Sequence, residues 1–373
     1  MAGVFRISFQ GLPDPRTGNA RRHGLLEVLT IALTASICGA ESCVDFATFA
    51  RDRRALFEEF LELPGGLPSH DTFSRIFRLL DPEAFSRCFQ QFLDHLGEDG
   101  AGVLAIDGKT LRRSFDRAAG RSALHVVSAF ASGARMVVGQ RAVADGENEI
   151  VAARALLELF DLKGVLVTGD ALHAQEQTAR TILERGGEWL FPLKDNRPAL
   201  RAEVERYFAD PQTDLAAPHV TTDADHGRIE VRRHWVSHDV AWLASDRRFP
   251  GEAMLPGLKT LGLIERSVTG ADGRTTATRT LYLSSAALEA KAFAHAARSH
   301  WSIEAAVHWV LDTSFDEDRA RNRKDHGPEN LAILRKLALN VVRAAKNDDS
   351  IRLRRKRAGW SDDYARAILG QMR

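Results

Sequence analysis

The sequence predicts an α/β protein whose mixed core follows an all-α N-terminal domain and is interrupted by a β-rich insertion. Apolar residues recur at helical spacing over residues 1–98, and short apolar strands alternate with amphipathic helices over residues 99–200. Residues 201–285 show no helical periodicity and alternate with period two instead, and helices resume over residues 286–373. These four stretches are the predicted domain organisation, in which the last one completes the core and ends in a basic tail.

Composition excludes several classes of protein. The 373 residues are 44% hydrophobic and 27% charged, which is typical of a globular protein with substantial cores. Lysine and arginine total 51 against 50 acidic residues, so any nucleic-acid surface must be a local patch. The three cysteines lack the spacing of a disulfide framework or zinc site. The apolar run at residues 25–40 is too short and too polar for a membrane span, and no signal-peptide pattern precedes it, so we expect a cytoplasmic protein.

The N-terminal stretch contains a candidate DNA-binding helix. Residues 25–39 predict an almost fully buried helix, and a later helix begins at Ser69, a residue suited to capping. Arg75 and Arg78 fall on one face of that later helix. Two interpretations remain open: a helix-turn-helix that enters DNA through these arginines, or a helical hairpin with a solvated basic face.

Two apolar segments of the core each end in an acid. Residues 103–107 predict a buried strand that ends at Asp107, and residues 165–170 repeat this design and end at Asp170. Up to the strand at residues 188–193, the order is strand, strand, strand, helix, strand, helix, strand. This is the order of a ribonuclease-H-like core, in which the ends of the first and fourth strands lie side by side. Topology therefore predicts that Asp107 lies beside Asp170.

A third acid, Glu304, lies on the helix that follows the insertion. Carboxylates held close together repel one another unless a hard cation neutralises them, and Mg²⁺ prefers oxygen ligands of this kind. Three such groups suit two divalent ions. The sequence therefore predicts that Asp107, Asp170 and Glu304 are metal ligands for phosphoryl-transfer chemistry.

Basic and amide side chains accompany these acids. Lys109 and Arg112 follow the first acid closely enough to hold backbone phosphates, and Lys194 and Asn196 follow a core strand whose end borders the predicted crevice. A solvated loop is the alternative interpretation for the second pair.

Other polar and aromatic residues have simpler expected roles. The acidic segment that ends at Glu149 is expected to cap a helix rather than to take part in catalysis. Trp301 and Trp309 are eight residues apart, which favours core packing over base stacking. Three further acids are expected to face solvent or to pair with nearby arginines: Asp312, Asp316 and Asp318, with Arg319, Arg321 and Arg323.

Several segments carry a resemblance to a known family. Residues 106–112, 167–175 and 300–312 resemble the H-repeat-associated, ISAs-type group of bacterial insertion-sequence transposases, which are DDE enzymes. Residues 68–75 resemble the N-terminal associated domain of that group, and residues 315–318 and 330–335 resemble its C-terminal end.

The resemblance implies a function and partners. Asp107, Asp170 and Glu304 would be the catalytic triad of a ribonuclease-H-like catalytic core, using Mg²⁺ with Mn²⁺ as a substitute. The partner would be double-stranded DNA, as terminal inverted repeats and as target DNA, and a homodimer or higher oligomer would act on paired ends. The protein would then be nucleoid-associated when bound to DNA.

The chain departs from the family pattern at a few positions. Ala305 replaces the usual asparagine, residues 194–197 differ from the usual loop, and His300 stands four residues before Glu304, where arginine is usual. His300 is kept as a candidate DNA contact. An active transposase is the leading hypothesis, and a catalytically silent transposase-derived DNA-binding protein is the alternative. A hydrolase of small phosphoesters is disfavoured by the long insertion and the basic helices.

Overall fold

The structure is a computed structural model that describes residues 3–96, 102–225, 227–243, 255–345 and 347–370. The predicted boundary between the N-terminal domain and the core, at residues 98 and 99, lies outside these ranges. The helices are α1 (Gly3–Phe9), α2 (Leu25–Ile37), α3 (Cys43–Asp52), α4 (Arg54–Glu58), α5 (His70–Leu79), α6 (Pro82–Leu96), α7 (Glu149–Leu157), α8 (Glu176–Glu184), α9 (Pro198–Ala209), α10 (Ala290–His300), α11 (Trp309–Ser314), α12 (Gly327–Ala344), α13 (Ile351–Trp360) and α14 (Asp362–Leu369). Across the described ranges, we find no helix with the length and apolar character needed to span a membrane.

The helices of residues 3–96 share one apolar core with the C-terminal helices. Leu33 of α2, Phe46 of α3 and Phe77 of α5 belong to the same buried cluster as Leu337 of α12 and Leu369 of α14. Burial of these side chains is the main favourable term that holds the two ends of the chain together. The N-terminal helices therefore pack on α12, the helix that also contacts β3 (Met136–Ala142) of the sheet through Asn340.

Serine residues begin two of these helices. Ser42 accepts a hydrogen bond from the backbone N–H of Asp45 at 3.2 Å, and the Asp45 carboxylate accepts one from the Ser42 N–H at 2.9 Å. This reciprocal pair satisfies amide groups that the first turn of α3 would leave without partners. Ser69 likewise accepts from the N–H of Thr72 at the start of α5, which confirms its predicted capping role.

Within the described residues, one sheet combines the core and the insertion. Its strands are β1 (Gly102–Thr110), β2 (His125–Ala131), β3 (Met136–Ala142), β4 (Val165–Thr168), β5 (Glu188–Leu193), β6 (His219–Asp225), β7 (Arg228–Ser237), β8 (Thr260–Thr269) and β9 (Thr275–Ser284). Their order across the sheet is β3-β2-β1-β4-β5-β9-β8-β7-β6. The structure is thus a mixed α/β fold.

Strands β1 and β4 are parallel neighbours, as the predicted topology requires. Their register pairs Ala105 with Thr168. Asp107 and Asp170 each lie two positions beyond that pair, so both acids follow the same edge of the sheet. The predicted parallel pairing of the two strands is confirmed, but the predicted strand end at Asp107 is wrong, because β1 pairs with β2 through Asp107 as far as Thr110.

The insertion extends the core sheet. Strand β9 pairs antiparallel with β5, with Phe191 opposite Leu283, and β8, β7 and β6 follow outward. The expectation that helical periodicity is absent after residue 200 is wrong, because α9 occupies Pro198–Ala209. Proline suits the first turn of a helix, and Leu200 and Val204, four residues apart, are the buried positions of α9. That short apolar stripe is a weak sequence signal.

Candidate active site

Asp107 and Asp170 lie beyond the paired ends of two parallel core strands. The Asp107 side chain is 27% exposed, and its Oδ1 accepts a hydrogen bond from the Gly108 N–H at 3.0 Å. Asp170 Oδ1 accepts one from the Leu172 N–H at 2.8 Å and caps a short turn. Backbone amides thus orient both carboxylates, with Asp107 inside β1 and Asp170 just after β4.

Glu304 begins a π-helical turn, Glu304–His308, that precedes α11. π-Helical turns are rare overall, and many of those that occur are at functional sites. The turn places His308 Nδ1 3.0 Å from Glu304 Oε2 and 3.3 Å from Asp107 Oδ2. One ligand atom from each of Asp107, Glu304 and His308 lies within 4.8 Å of the others. Asp170 is not part of this cluster, although its charge helps to raise the pKa of Asp107. The three predicted acids, Asp107, Asp170 and Glu304, are called the acidic site below.

Sequence reasoning did not identify His308 as part of this arrangement. The available signal was its spacing of four residues from Glu304, which places two side chains on one side of a helix. The imidazole is 4% exposed, and its Nε2 is buried without a hydrogen-bond partner in the part of the chain that the structure describes.

Burial and neighbouring acids disfavour the charged form of Asp107. Burial is the largest cause that raises the pKa of Asp107, to about 6, and Glu149, Glu304 and Asp170 raise it further by repulsion. The hydrogen bond from Gly108 acts in the opposite direction. A nearby cation would stabilise the charged form of such an acid. The donor set of two carboxylates and one imidazole fits a divalent metal ion.

Lys109 is held inside the protein. Its ammonium contacts Asp312 and donates to Glu317 Oε2 at 3.0 Å, and its side chain is only 13% exposed. This placement argues against the expected phosphate contact, because two acids of the chain already surround the Lys109 ammonium. Of the three acids expected to face solvent or to pair with nearby arginines, Asp316 pairs with Arg319 at 3.6 Å, as predicted. Asp312 instead contacts Lys109, and Asp318 lies 3.3 Å from Arg112 Nε.

The cations and acids around Lys109 form a buried ion network, which we define as Lys109, Asp312, Glu317, Arg335 and Lys336. Burial opposes ionisation of Glu317, but Lys336, Lys109 and Arg335 outweigh it and lower the pKa of this acid. Burial lowers the pKa of Lys336 to about 8, and its Nζ donates to Gln140 Oε1 at 2.6 Å. The network joins β1, α11, α12 and the loop after α11.

Glu149 lies on the other side of Asp107. The predicted helix capping is confirmed for Asn148, whose Oδ1 accepts from the Val151 N–H at 3.1 Å. The Glu149 carboxylate makes a different contact, since it lies 2.6 Å from His125 Nε2 and 3.1 Å from His173 Nε2. Hydrogen bonding to His173 is the largest cause that lowers the pKa of Glu149.

Gly108 makes room for this cluster. A Cβ at Gly108 would lie 2.5 Å from the carboxyl carbon of Glu149 and 2.5 Å from His125 Nε2, closer than real Cβ contacts occur. The glycine directly after Asp107 therefore lets Glu149 and His125 approach the strand.

The candidate DNA contacts at the strand ends differ in their surroundings. Lys194 and Asn196 are exposed, and Asn196 Nδ2 donates to the Ala171 carbonyl at 2.7 Å, which ties their loop to the turn after Asp170. Burial lowers the pKa of His300 to about 4, so this side chain is uncharged near neutral pH. It lacks the positive charge that an arginine would bring.

The other candidate contacts lie farther along the chain. The Arg112 side chain is 79% exposed, although it also contacts Asp318. Arg75 is exposed on α5, whereas Arg78 forms an ion pair with Asp325 at 2.7 Å. Of the two arginines predicted on one face of α5, Arg78 is therefore engaged with the segment before α12.

Trp301 and Trp309 are both 63% exposed, so the expectation that they pack in the core is wrong. The core positions of this region are Ile303, Val307 and Leu311, which recur every four residues. Because those residues occupy the buried side, the two indole rings lie on the surface that flanks Glu304.

Comparison with known proteins gives the family. A model described as "Transposase DDE domain" matches residues 98–341, and one described as "DDE_Tnp_1-associated" matches residues 7–93. "H repeat-associated putative transposase YhhI" of Escherichia coli is 33% identical over 96% of this chain and 95% of its own length. "Uncharacterized protein in dhlA 3'region" of Xanthobacter autotrophicus is 41% identical over 69% of this chain and 86% of its own.

The chain therefore belongs to the family of transposases with a DDE domain. The resemblance to the H-repeat-associated group is confirmed. Membership implies a ribonuclease-H-like fold for the matched core, in agreement with the order of β1 to β5.

Proposed function

We propose that this protein is a DNA transposase that cuts and joins DNA at the ends of an insertion sequence. Asp107, Asp170 and Glu304 are proposed as the catalytic triad and as ligands of Mg²⁺, with Mn²⁺ as a substitute. The single observation that carries the proposal is the convergence of acids around Asp107, whose raised pKa reflects burial and three neighbouring carboxylates. Membership in a transposase family supports phosphoryl transfer on DNA.

Divalent ions in this site would activate the attacking oxygen and stabilise the charge on the phosphate and on the leaving 3′ oxygen. The residues of the chain have simpler tasks. The parallel pairing of β1 and β4 holds Asp107 and Asp170 at matching positions, and the π-helical turn brings Glu304 to Asp107. The same site can accept water for cleavage and a DNA 3′-OH for strand transfer.

Exposed cations around the site are proposed to hold the DNA. Lys194 borders the turn after Asp170, and Arg112 follows the end of β1. We propose terminal inverted repeats and target DNA as the bound sequences, with at least two copies of the chain on a pair of ends. The cytoplasm, at the nucleoid, is the corresponding location.

The test is cleavage of a duplex that carries the DNA flanking the coding region. Wild-type protein with Mg²⁺ is expected to nick this duplex, and Asp107→Asn is expected to lose at least about 100-fold in rate, because a metal ligand is removed. Asp272→Asn is the matched control, since Asp272 lies in the exposed turn between β8 and β9. Unchanged cleavage by the Asp107 variant would overturn the assignment.

A second candidate function follows from two specific features. His300 is uncharged where the family usually has arginine, and Ala305 follows Glu304. These features favour a catalytically silent DNA-binding protein. Binding of the same duplex without cutting, under both Mg²⁺ and Mn²⁺, selects this alternative.

A further inference from the structure

We propose that His308 binds one of the metal ions directly through Nδ1, beside Asp107 and Glu304. The inference rests on the proposed function, because it concerns the same metal site. It adds a nitrogen ligand to a site that sequence reasoning described with carboxylates alone.

The position of the ring carries the first step. His308 is 4% exposed, and its neighbour Val307 belongs to the apolar core shared with α12. Its Nε2 is buried and has no hydrogen-bond partner among the residues that the structure describes. Packing therefore fixes the imidazole, and Nδ1 is the ring nitrogen that points to the two carboxylates.

The distances carry the second step. His308 Nδ1 lies 3.0 Å from Glu304 Oε2 and 3.3 Å from Asp107 Oδ2. Adjacent ligand atoms of an octahedral ion with bonds of about 2.1 Å are about 3.0 Å apart. Both distances from Nδ1 therefore match the separation of neighbouring ligands of one ion, and one ligand atom from each of the three residues lies within 4.8 Å of the others.

The chemistry of the ligand set carries the third step. Imidazole is a softer ligand than carboxylate, and it suits transition metals better than Mg²⁺. A site with one imidazole and two carboxylates is therefore expected to prefer Mn²⁺ to Mg²⁺. The size of this preference should depend on His308, whereas a site made only of carboxylates would show none of that dependence.

The test is spin-echo electron paramagnetic resonance on the full chain loaded with Mn²⁺ and without DNA. Wild-type protein is expected to show ¹⁴N modulation from a coordinated imidazole, and His308→Asn is expected to lose it. His295→Gln is the control, because His295 is exposed on α10 and is not one of the proposed ligands. This control should keep the modulation.

Metal titration gives a second readout that does not depend on activity. His308→Asn is expected to bind Mn²⁺ roughly 10- to 100-fold more weakly, the loss seen even for residues that only orient a ligand. Its Mg²⁺ affinity should change less. Circular dichroism establishes that the variant folds, and His308→Gln provides a second variant of different length.

The outcomes separate the two proposals. Mn²⁺ binding by the wild-type protein without ¹⁴N modulation overturns the role of His308 and leaves the carboxylate site standing. Modulation that persists in both His308 variants also overturns it. Failure of the wild-type protein to bind Mn²⁺ at all overturns the proposed metal chemistry together with this inference.

Discussion

Two clusters of charged side chains include residues of β1, and they differ in how their charges are neutralised. The acidic site gathers like charges around Asp107, whereas the buried ion network surrounds Lys109 with acids and places Lys336 and Arg335 near Glu317. Asp107 and Lys109 are two residues apart on one strand, so both side chains leave the same face of the sheet. In the network the chain itself supplies charges of both signs, whereas the acidic site gathers acids alone and calls for cations from outside.

Breaking the ion network should have the largest effect on stability. Lys109→Met leaves Glu317, which is buried, without its closest cation and should cost about 3–5 kcal/mol of unfolding free energy. Urea denaturation measures this loss. Arg112→Met is the matched control, because the exposed pair with Asp318 should contribute less than about 1 kcal/mol.

A second variant separates charge balance from packing around Lys109. Adding Glu317→Gln to Lys109→Met removes the unbalanced acid, so part of the lost stability should return. If the double variant is as unstable as the sum of the two single variants, the two charges do not depend on each other and the contrast with the acidic site fails.

The acidic site should respond to pH in a window set by Asp107. Its folded pKa of about 6 exceeds the ordinary value of 3.8, so the folded protein binds this proton more tightly than the unfolded chain. This tighter proton binding stabilises the folded state fully below about pH 4, and the stabilisation is lost as the pH rises through about 6. For metal-free protein, this proton binding contributes about 1–3 kcal/mol of unfolding free energy, given a folded pKa of about 6 against 3.8.

Urea denaturation of Asp107→Asn and wild-type protein in a chelator tests this sign. The variant should gain stability relative to wild type between pH 4 and 7, because it has no buried charge to form. Added Mg²⁺ should reduce the difference by stabilising only the wild type. Parallel pH profiles in the chelator would contradict the raised pKa of Asp107.

The smallest expected effect is on the salt dependence of DNA binding, which should differ between exposed cations and the cations of the ion network. Lys194→Ala and Arg75→Ala should each reduce the slope of log affinity against log salt by about 1 if the side chain contacts a phosphate. Lys109→Met should leave the slope unchanged, because its ammonium is enclosed by acids. Filter binding at several salt concentrations measures the slopes, and a lower slope for Lys109→Met would contradict its placement.

Local pattern was sufficient for much of the site. Apolar segments that lead to Asp107 and Asp170 are visible in the sequence, and a topology rule brings them to one edge, as the β1–β4 register confirms. Other features depend on contacts between distant segments. His308 reaches Asp107 across the fold, and Glu149 joins His125 to His173. The spacing of these residues along the chain gives little indication of either contact.

The sequence by itself determined the α/β class and the parallel pairing of the two strands that bring Asp107 and Asp170 to one side of the sheet, because these features follow from periodicity and from the order of elements. Only the tertiary structure decided which charges neutralise one another. Lys109 pairs with Asp312 and Glu317 and is not free to bind a phosphate, and the tryptophans beside Glu304 are exposed. The physical reason is that burial and charge balance depend on where distant segments meet, and a linear pattern of residues does not contain that information.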